Sequence, residues 1–326
     1  MPAPVPVTMS GGGPVKWQPE PHRLDPRATA PSDVYLIGHF GLATVDAAGW
    51  SLRVDGLVDT ALDLDPDALR ALPQTTVTTL LECFGNPLDP DVPVRRAANV
   101  TWRGAPVAEI LRAAGVHAGA TSLWATGLDS GEFGGVACTE YRKDVPLDVA
   151  LARGIVAHEI DGVPLSAERG YPARLVVPGY FGTNNVKWLR ALTVSDRRPE
   201  HLFTTRLYLR TVPGADGPQP VRDLDVNSLV TVPSDGARVG ADVEVAGWAW
   251  SAVPVVAVEV AVDGEWAPAE VERRRGPHVT WQRFRTVRRA GPGGHTLAVR
   301  ATDRDGRVQP VDGARNAAHH VTVDVR

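Results

Sequence analysis

The stretch Thr78 to Asp91, TTLLECFGNPLDPD, runs apolar up to a cysteine and then breaks into turn residues. A thiol at the end of a buried strand can do one of three things. It can fill space, since free cysteine is among the most buried residue types. It can act as a nucleophile, which needs a base beside it, and no histidine is placed by local sequence to serve. It can bind a metal, although zinc, with its several protein ligands, does not suit a lone thiolate. A metal carried mainly by an organic group would. Cys83 and Cys138 are the only cysteines and form no Cys-x-x-Cys pair, so zinc and disulfide frameworks are not expected.

The elements that must position Cys83 divide near residue 215. Before it, short strands mix with helices. LDPDALRALP reads as a helix capped by Asp65, with Pro66 at its first position and Pro73 ending it. APVAEILRAAGV reads as a second helix, with Val107, Ile110 and Leu111 on one face and Gly115 as its stop. PARLVVPG and VKWLRALTV read as strands. Helices and strands without βαβ alternation indicate an α+β fold. After the Gly- and Pro-rich VPGADGPQPVRDLD the character changes. VVAVEVAVDGEW alternates Val256, Val258, Val260 and Val262 with smaller or charged residues and turns at Asp263-Gly264. HTLAVRATDRDGRVQP repeats the scheme with Asp305-Gly306, and HHVTVDV adds a last strand. That pattern predicts an all-β sandwich.

At 326 residues the chain is long for one core. The expected division is an extended, Pro-rich arm over 1–30, an α+β domain over 31–212 and the sandwich over 213–326. Seven of the first 30 residues are proline, without an apolar core or a twin-arginine pair, which predicts an arm in place of an export signal. The net charge of −4 gives no reason to expect a nucleic-acid partner. No apolar run reaches the roughly 18 residues of a membrane span, and a reducing, cytoplasmic setting is expected.

LLECFGN resembles the cysteine segment of the sulfite oxidase family of molybdopterin-dependent oxidoreductases, where a Leu-x-Cys-Ala-Gly-Asn pattern supplies the protein's ligand to molybdenum. NVTWRGAPVAEILRAAGV resembles the family's Trp-x-Gly segment and the helix after it. HEIDGVPLSAERGYPARLVVPGYFGTNNVKWLRALTV is similar to the block ending in Val-Lys-Trp-Leu. GWAWS, LAVRATDRDGRVQP and NAAHHVTVDV resemble the family's immunoglobulin-like dimerisation domain. The similarity runs from about residue 33 to the end.

The resemblance implies a molybdenum–molybdopterin cofactor with Cys83 as metal ligand, a role that suits a soft thiolate on a rigid strand end. It also implies two-electron oxygen-atom transfer, a separate electron carrier and a homodimer, with no haem in this chain. By the same resemblance His39 and its neighbour Gly38 lie at the pterin, unless His39 is a core-edge histidine. Arg174 grips the cofactor phosphate, for which a guanidinium fork is apt. Lys187 binds the cofactor, and GYFGTNN before it, including Gly182 and Asn185, offers further contacts. Arg169 is a second phosphate ligand or a solvated charge. Tyr208 matches the active-site tyrosine and Arg206 would help hold an anion, although both residue types are common on surfaces. Gly85-Asn86 lets backbone approach the metal closely.

Two departures bear on substrate. The family's Arg-Asn-His has become Ile37, Gly38 and His39, and its arginine pair after the cysteine segment has become Pro87 and Leu88. Each charge-assisted contact contributes roughly 1.5–3 kcal/mol, so a substrate other than, or besides, sulfite is expected. Arg95 and Arg96 would compensate only if their loop folds back over the metal. A degenerate family member that serves as a binding protein, and a cysteine hydrolase using Cys83, are the alternatives.

Overall fold

The computed structural model describes residues 7–10, 13–86, 95–212 and 214–326. The chain forms two compact units that differ from the expected linear division. One comprises 1–17, 36–77 and 101–222; the other comprises 18–35, 78–100 and 223–326. Cys83 therefore belongs to the unit that holds the C-terminal strands.

In the first unit a five-stranded sheet runs in the order Arg142–Pro146, Ser122–Gly127, Leu189–Ser195, Leu52–Gly56, Leu62–Leu64. Only the Leu189–Ser195 and Leu52–Gly56 pair is parallel, with Ala191 opposite Arg53. Ile155–Ile160 pairs with Arg174–Val176, which places Arg174 opposite Ala157. The predicted helices form at Pro66–Ala71 and Val107–Ala114. Asp65 caps the first, its Oδ1 accepting from Ala68 N at 2.7 Å. The second buries Val107, Ile110, Leu111 and Ala114, one stripe at helical spacing, and ends at Gly115 with φ +70°. A third helix, Leu147–Arg153, accompanies it. These stripes share a core with Trp50, Leu52, Val54, Leu123, Leu192 and Val194.

The second unit is built on two linked sheets. Asn227–Val232, Asp242–Trp250 and Gln282–Arg289 pair in that order, and Glu265–Val271 joins them to Val255–Val262, Gly293–Asp303, His319–Val325 and Ala237–Val239. Val230, Val243, Val245, Val258, Val260, Val299, Val321 and Val323, drawn from both sets of strands, share one core, which makes the C-terminal part an all-β sandwich. The turn at Asp263-Gly264 has φ +51° and +88°, the pair of positive angles that a two-residue hairpin of this hand requires. One detail of the expected alternation fails. Val256 is 56% exposed, because the ladder shifts register between Val255 and Ala257 and turns the intervening side chain outward.

The Pro-rich segment is not an extended arm among its described residues. Val7–Ser10 pairs with Leu42–Val45, and Val15–Trp17 pairs with Leu36–Gly38. In the second unit Pro21 opens a 3-10 turn ending in the fully buried Leu24. Trp248 Nε1 donates to Leu24 O at 2.7 Å and Trp281 Nε1 to Arg27 O at 2.8 Å. Composition suggested disorder because these partners lie more than 200 residues away in sequence. Among the described residues no helix is long and apolar enough to cross a membrane.

The strand Thr75–Glu82 ends on a carboxylate that is fully buried. Glu82 Oε1 accepts from Asn86 Nδ2 at 3.0 Å and Asn227 Nδ2 at 2.8 Å, and Oε2 accepts from Trp250 Nε1 at 2.8 Å. The sandwich strands at Asn227 and Trp250 thus anchor the residue next to Cys83. Leaving a buried carboxylate oxygen without its donor costs about 1–3 kcal/mol. Trp250→Phe is expected to lower stability by that amount in chemical denaturation.

Candidate cofactor site

In the first unit the sequence-expected cations come together. Arg169 sits in the 3-10 turn Ala167–Arg169, closed by Gly170. Gly170 has φ +102°, and a Cβ there would meet Lys187 Cβ at 2.9 Å, so only glycine lets the turn lie against Lys187. Arg174 donates Nη1 to Arg169 O at 3.0 Å and Nη2 to Asn185 O at 3.1 Å, and its guanidinium lies 4.8 Å from the Trp102 ring centroid. Lys187 Nζ donates to Glu168 O at 3.1 Å. These hydrogen bonds run to backbone carbonyls. Burial pulls the Lys187 amine down, and Arg174 and Arg169 add to the effect. Asp129, buried beside it, is pushed up by the same burial while Lys187 opposes.

Asn185 directs its side chain to its own unit's backbone, Oδ1 accepting from Val177 N at 2.6 Å. Gly182 opens the 3-10 turn Gly182–Asn184. Gly38 closes a strand whose path allows no side chain, since a Cβ would lie 2.1 Å from Gly41 O.

His39 and Tyr208 are brought together although 169 residues separate them: His39 Nε2 and the Tyr208 hydroxyl share a 2.5 Å hydrogen bond. The imidazole packs on Phe203, Phe133 and Tyr141 with centroids at 4.8, 5.1 and 5.3 Å. Burial, and then the charges of Lys187, Lys143 and Lys16, lower its pKa to about 3, so it is neutral at pH 7. Tyr208 has φ +58°, an uncommon angle for a bulky residue that the surroundings must enforce. Val221 N donates to its carbonyl at 2.9 Å, and a buried carboxylate helps hold the segment before it. Asp144 accepts from Arg198 Nε at 2.7 Å and Nη2 at 3.1 Å, and from Arg222 Nη2 at 3.1 Å. Arg198 also reaches Thr204 O at 2.8 Å, and Lys143 Nζ reaches Phe203 O at 2.7 Å while lying 5.3 Å from the Tyr208 ring. The turn Leu202–Arg206 that leads into Tyr208 is thereby pinned. Arg206 is exposed at its end.

In the second unit Cys83 follows Glu82 directly. Its N–H donates to Arg96 O at 3.0 Å. Burial pushes the thiol up; the Gly85 backbone amide and the nearby Arg96 oppose that. Arg95 is buried with Nη2 3.3 Å from Ala317 O, and Arg96 spans Gly85 O and Gln18 Oε1 at 2.7 and 3.0 Å. Both arginines are thus engaged with backbone or amide groups of their own unit. Pro87 and Leu88 lie outside the described residues. Cys138 is half-buried on the strand Val136–Cys138. Among the described residues no group of three or more His, Cys, Asp or Glu could hold a metal ion.

A molybdopterin carries an anionic phosphate and ring N–H donors, and the first unit offers complements to both. Arg174 and Lys187 donate to carbonyl oxygens, and Asp129 Oδ1 is buried without a hydrogen-bond partner. Sequence reasoning missed Asp129, because Asp129-Ser130-Gly131 after a strand reads as an ordinary turn.

The comparisons define the class. Residues 39–203, about half of the chain, match the family described as "Oxidoreductase molybdopterin binding domain". Mouse mitochondrial sulfite oxidase is 29% identical over 298 residues, covering 82% of this chain and 54% of that protein. Chicken sulfite oxidase is 30% identical over 295 residues, covering 81% and 63%. The NADPH nitrate reductase of Aspergillus niger is 29% identical over 272 residues, covering 72% and 31%. The structure of the sulfane dehydrogenase SoxCD from Paracoccus pantotrophus superposes with a TM-score of 0.78 at 27% identity, covering 89% of this chain and 76% of that one. The chain belongs to the sulfite oxidase family of molybdopterin-dependent oxidoreductases. It spans about half the length of the mouse relative it matches.

The Asp144 cluster generates a prediction. Burial alone would raise this carboxyl, but Arg198 and Arg222 hold it below its usual range. Its contribution to stability is full above the unfolded pKa, roughly 3.9, and is lost as pH falls through the lower folded value. Breaking a buried pair costs roughly 3–5 kcal/mol, reduced here because the Arg198 side chain is 37% exposed. Asp144→Asn is expected to cost about 2–3 kcal/mol at pH 7 and to abolish this part of the acid dependence, read from denaturation between pH 2 and 7.

Proposed function

We propose that the protein is a molybdenum oxidoreductase performing two-electron oxygen-atom transfer, with Cys83 as its ligand to the metal. The observation that carries the reading is the gathering of Arg169, Arg174 and Lys187, of which Arg174 and Lys187 donate to carbonyl oxygens, with a buried carboxylate oxygen, on Asp129, that has no hydrogen-bond partner. When bound, the cofactor supplies a metal that changes oxidation state by two electrons.

The chain's own residues do the rest. Arg174, with Arg169, grips the phosphate, and Lys187 adds a point charge. Asp129 accepts from the pterin N–H groups, and the backbone at Gly182 and Asn185 completes the cradle. His39, neutral, holds the Tyr208 hydroxyl toward the substrate, with Gly38 allowing the close backbone turn before it. Arg206, exposed, draws anions inward. The metal's sulfur environment is set by Cys83, a soft thiolate donor at the end of a strand.

The substrate in this reading is other than, or not only, sulfite. Ile37 stands where an anion-binding arginine would, and the cation opposite it in the ladder is Lys16, an exposed residue. Sulfane sulfur, the substrate class named for the structural neighbour, is the first candidate. A separate electron carrier, a homodimer formed through an immunoglobulin-like sandwich and a cytoplasmic location belong to the same proposal.

The test is metal and pterin analysis of protein from a host that makes the cofactor, followed by assay with sulfite, sulfane sulfur and nitrate. Near-stoichiometric molybdenum is expected. Arg174→Gln and Lys187→Met should each retain at least about tenfold less, since each removes a charge-assisted contact of roughly 1.5–3 kcal/mol. Protein without molybdenum overturns the enzyme reading in favour of a binding role. Efficient turnover of sulfite alone overturns the substrate assignment.

A further inference from the structure

Beside Tyr208 the first unit buries more positive charge than it balances. Lys143, on the strand Arg142–Pro146, is 1% exposed. Its Nζ donates to Phe203 O at 2.7 Å and lies 5.3 Å from the Tyr208 ring centroid. The carboxylate next to it in sequence, Asp144, is already shared by Arg198 Nε at 2.7 Å and Arg222 Nη2 at 3.1 Å. These are the charges that bear on Lys143, so three cations face one carboxylate. Taking an ammonium out of water is costly unless a negative charge compensates it.

The surplus reaches the other member of the pair. After burial, the charges that act on His39 are those of Lys187, Lys143 and Lys16, all cations, so the field around the His39–Tyr208 hydrogen bond is positive. An ammonium against a phenol ring makes its O–H a stronger donor and attracts an anion placed at the hydroxyl. Two residues before His39, Ile37 offers no charge of its own. An ammonium is a point charge, without the fork that selects planar, bidentate partners.

We propose that Lys143 is a positioning residue for an anionic substrate, its fixed charge acting through Tyr208 in place of the guanidinium that Ile37 lacks. This rests on the reading of Tyr208 as a residue facing the substrate. The substrate class is a small anion recognised by charge more than by shape, which includes sulfane sulfur carried on an anion such as thiosulfate. Burial pulls the Lys143 amine down to about 7 against Asp144, and Arg198 and Arg222 add to the fall. The charge is therefore present below about pH 7 and lost above it, and anion affinity goes with it. The other groups facing Lys143 do not change charge in step with it. Guanidinium groups do not titrate near neutrality, and burial holds His39, and His201 at the start of the neighbouring turn, below the usual histidine range.

The test is calorimetric titration of the molybdenum-loaded full chain with sulfate, whose charge is constant near neutrality, at roughly pH 6.5 and 8.5 on either side of the Lys143 transition. Wild type is compared with Lys143→Arg and Lys143→Met. Wild type is expected to bind sulfate about tenfold more weakly at the higher pH. Lys143→Arg keeps its charge and should hold the tighter affinity at both, whereas Lys143→Met should be weak at both. For turnover of thiosulfate, KM is expected to follow sulfate affinity and to change more than kcat. A structural role alone would weaken both variants without regard to pH. Lys187 is also pulled down by burial, and a fall with pH that persists in Lys143→Arg belongs to it and overturns the proposal. Loaded wild type that binds no sulfate, or binds it equally at both pH values, does the same and leaves the enzyme reading intact. Should Lys143→Met fail to fold, wild type and Lys143→Arg decide the matter. Wild-type protein that never holds molybdenum overturns the enzyme reading and this proposal with it.

Discussion

A thiolate can serve as the fixed ligand of a metal only if the backbone that carries it cannot move, and the fold meets that constraint with a buried carboxylate. Glu82 ends its strand without access to water, so its oxygens must find donors within the protein. It finds them in Asn86, four residues on, and in Asn227 and Trp250, more than 140 residues away in sequence. Cys83 is the next residue and inherits that rigidity. This is why 78–100 belongs with the C-terminal strands in one compact unit. A single cut of the chain near residue 215 therefore does not separate its two units.

The first unit solves a different problem with the same means. Arg169 and Arg174 are buried and Lys187 half-buried, with carbonyl oxygens as the acceptors of Arg174 and Lys187. Burial, and then the mutual repulsion of three cations drawn together in this way, lower the proton affinity of Lys187. In the same unit Asp144 gathers Arg198 and Arg222; Arg198 reaches Thr204 O and the neighbouring Lys143 reaches Phe203 O, which together hold the turn before Tyr208. Tyr208 can then keep a backbone angle it would not choose and reach the neutral His39. Here a paired charge maintains geometry, a role distinct from any net contribution to stability.

Local chemistry was legible in the sequence. The Asp65 cap, the stripe of Val107, Ile110 and Leu111 with its Gly115 stop, and the Asp263-Gly264 hairpin all follow from nearest-neighbour rules and form as expected. Long-range partnership was not legible. Nothing around Glu82 names Trp250, and nothing in the Pro-rich start announces that Leu24 and Arg27 will meet Trp248 and Trp281. Val256 fell outside its expected face because one register shift is invisible in an alternating pattern. Arg169, Arg174 and Lys187, singled out by motif, come together in the fold, since their spacing bridges a strand and two tight turns. Asp129 looked like any turn aspartate, and its lone oxygen shows only once the chain is folded.

The central claim is the bond between the Cys83 sulfur and molybdenum. X-ray absorption at the molybdenum edge of the loaded protein counts the sulfur atoms around the metal, and comparison with Cys83→Ser isolates the protein's share. The account predicts one sulfur fewer in the variant, with the dithiolene sulfurs retained. An unchanged sulfur shell would contradict it and return Cys83 to the role of a buried packing residue.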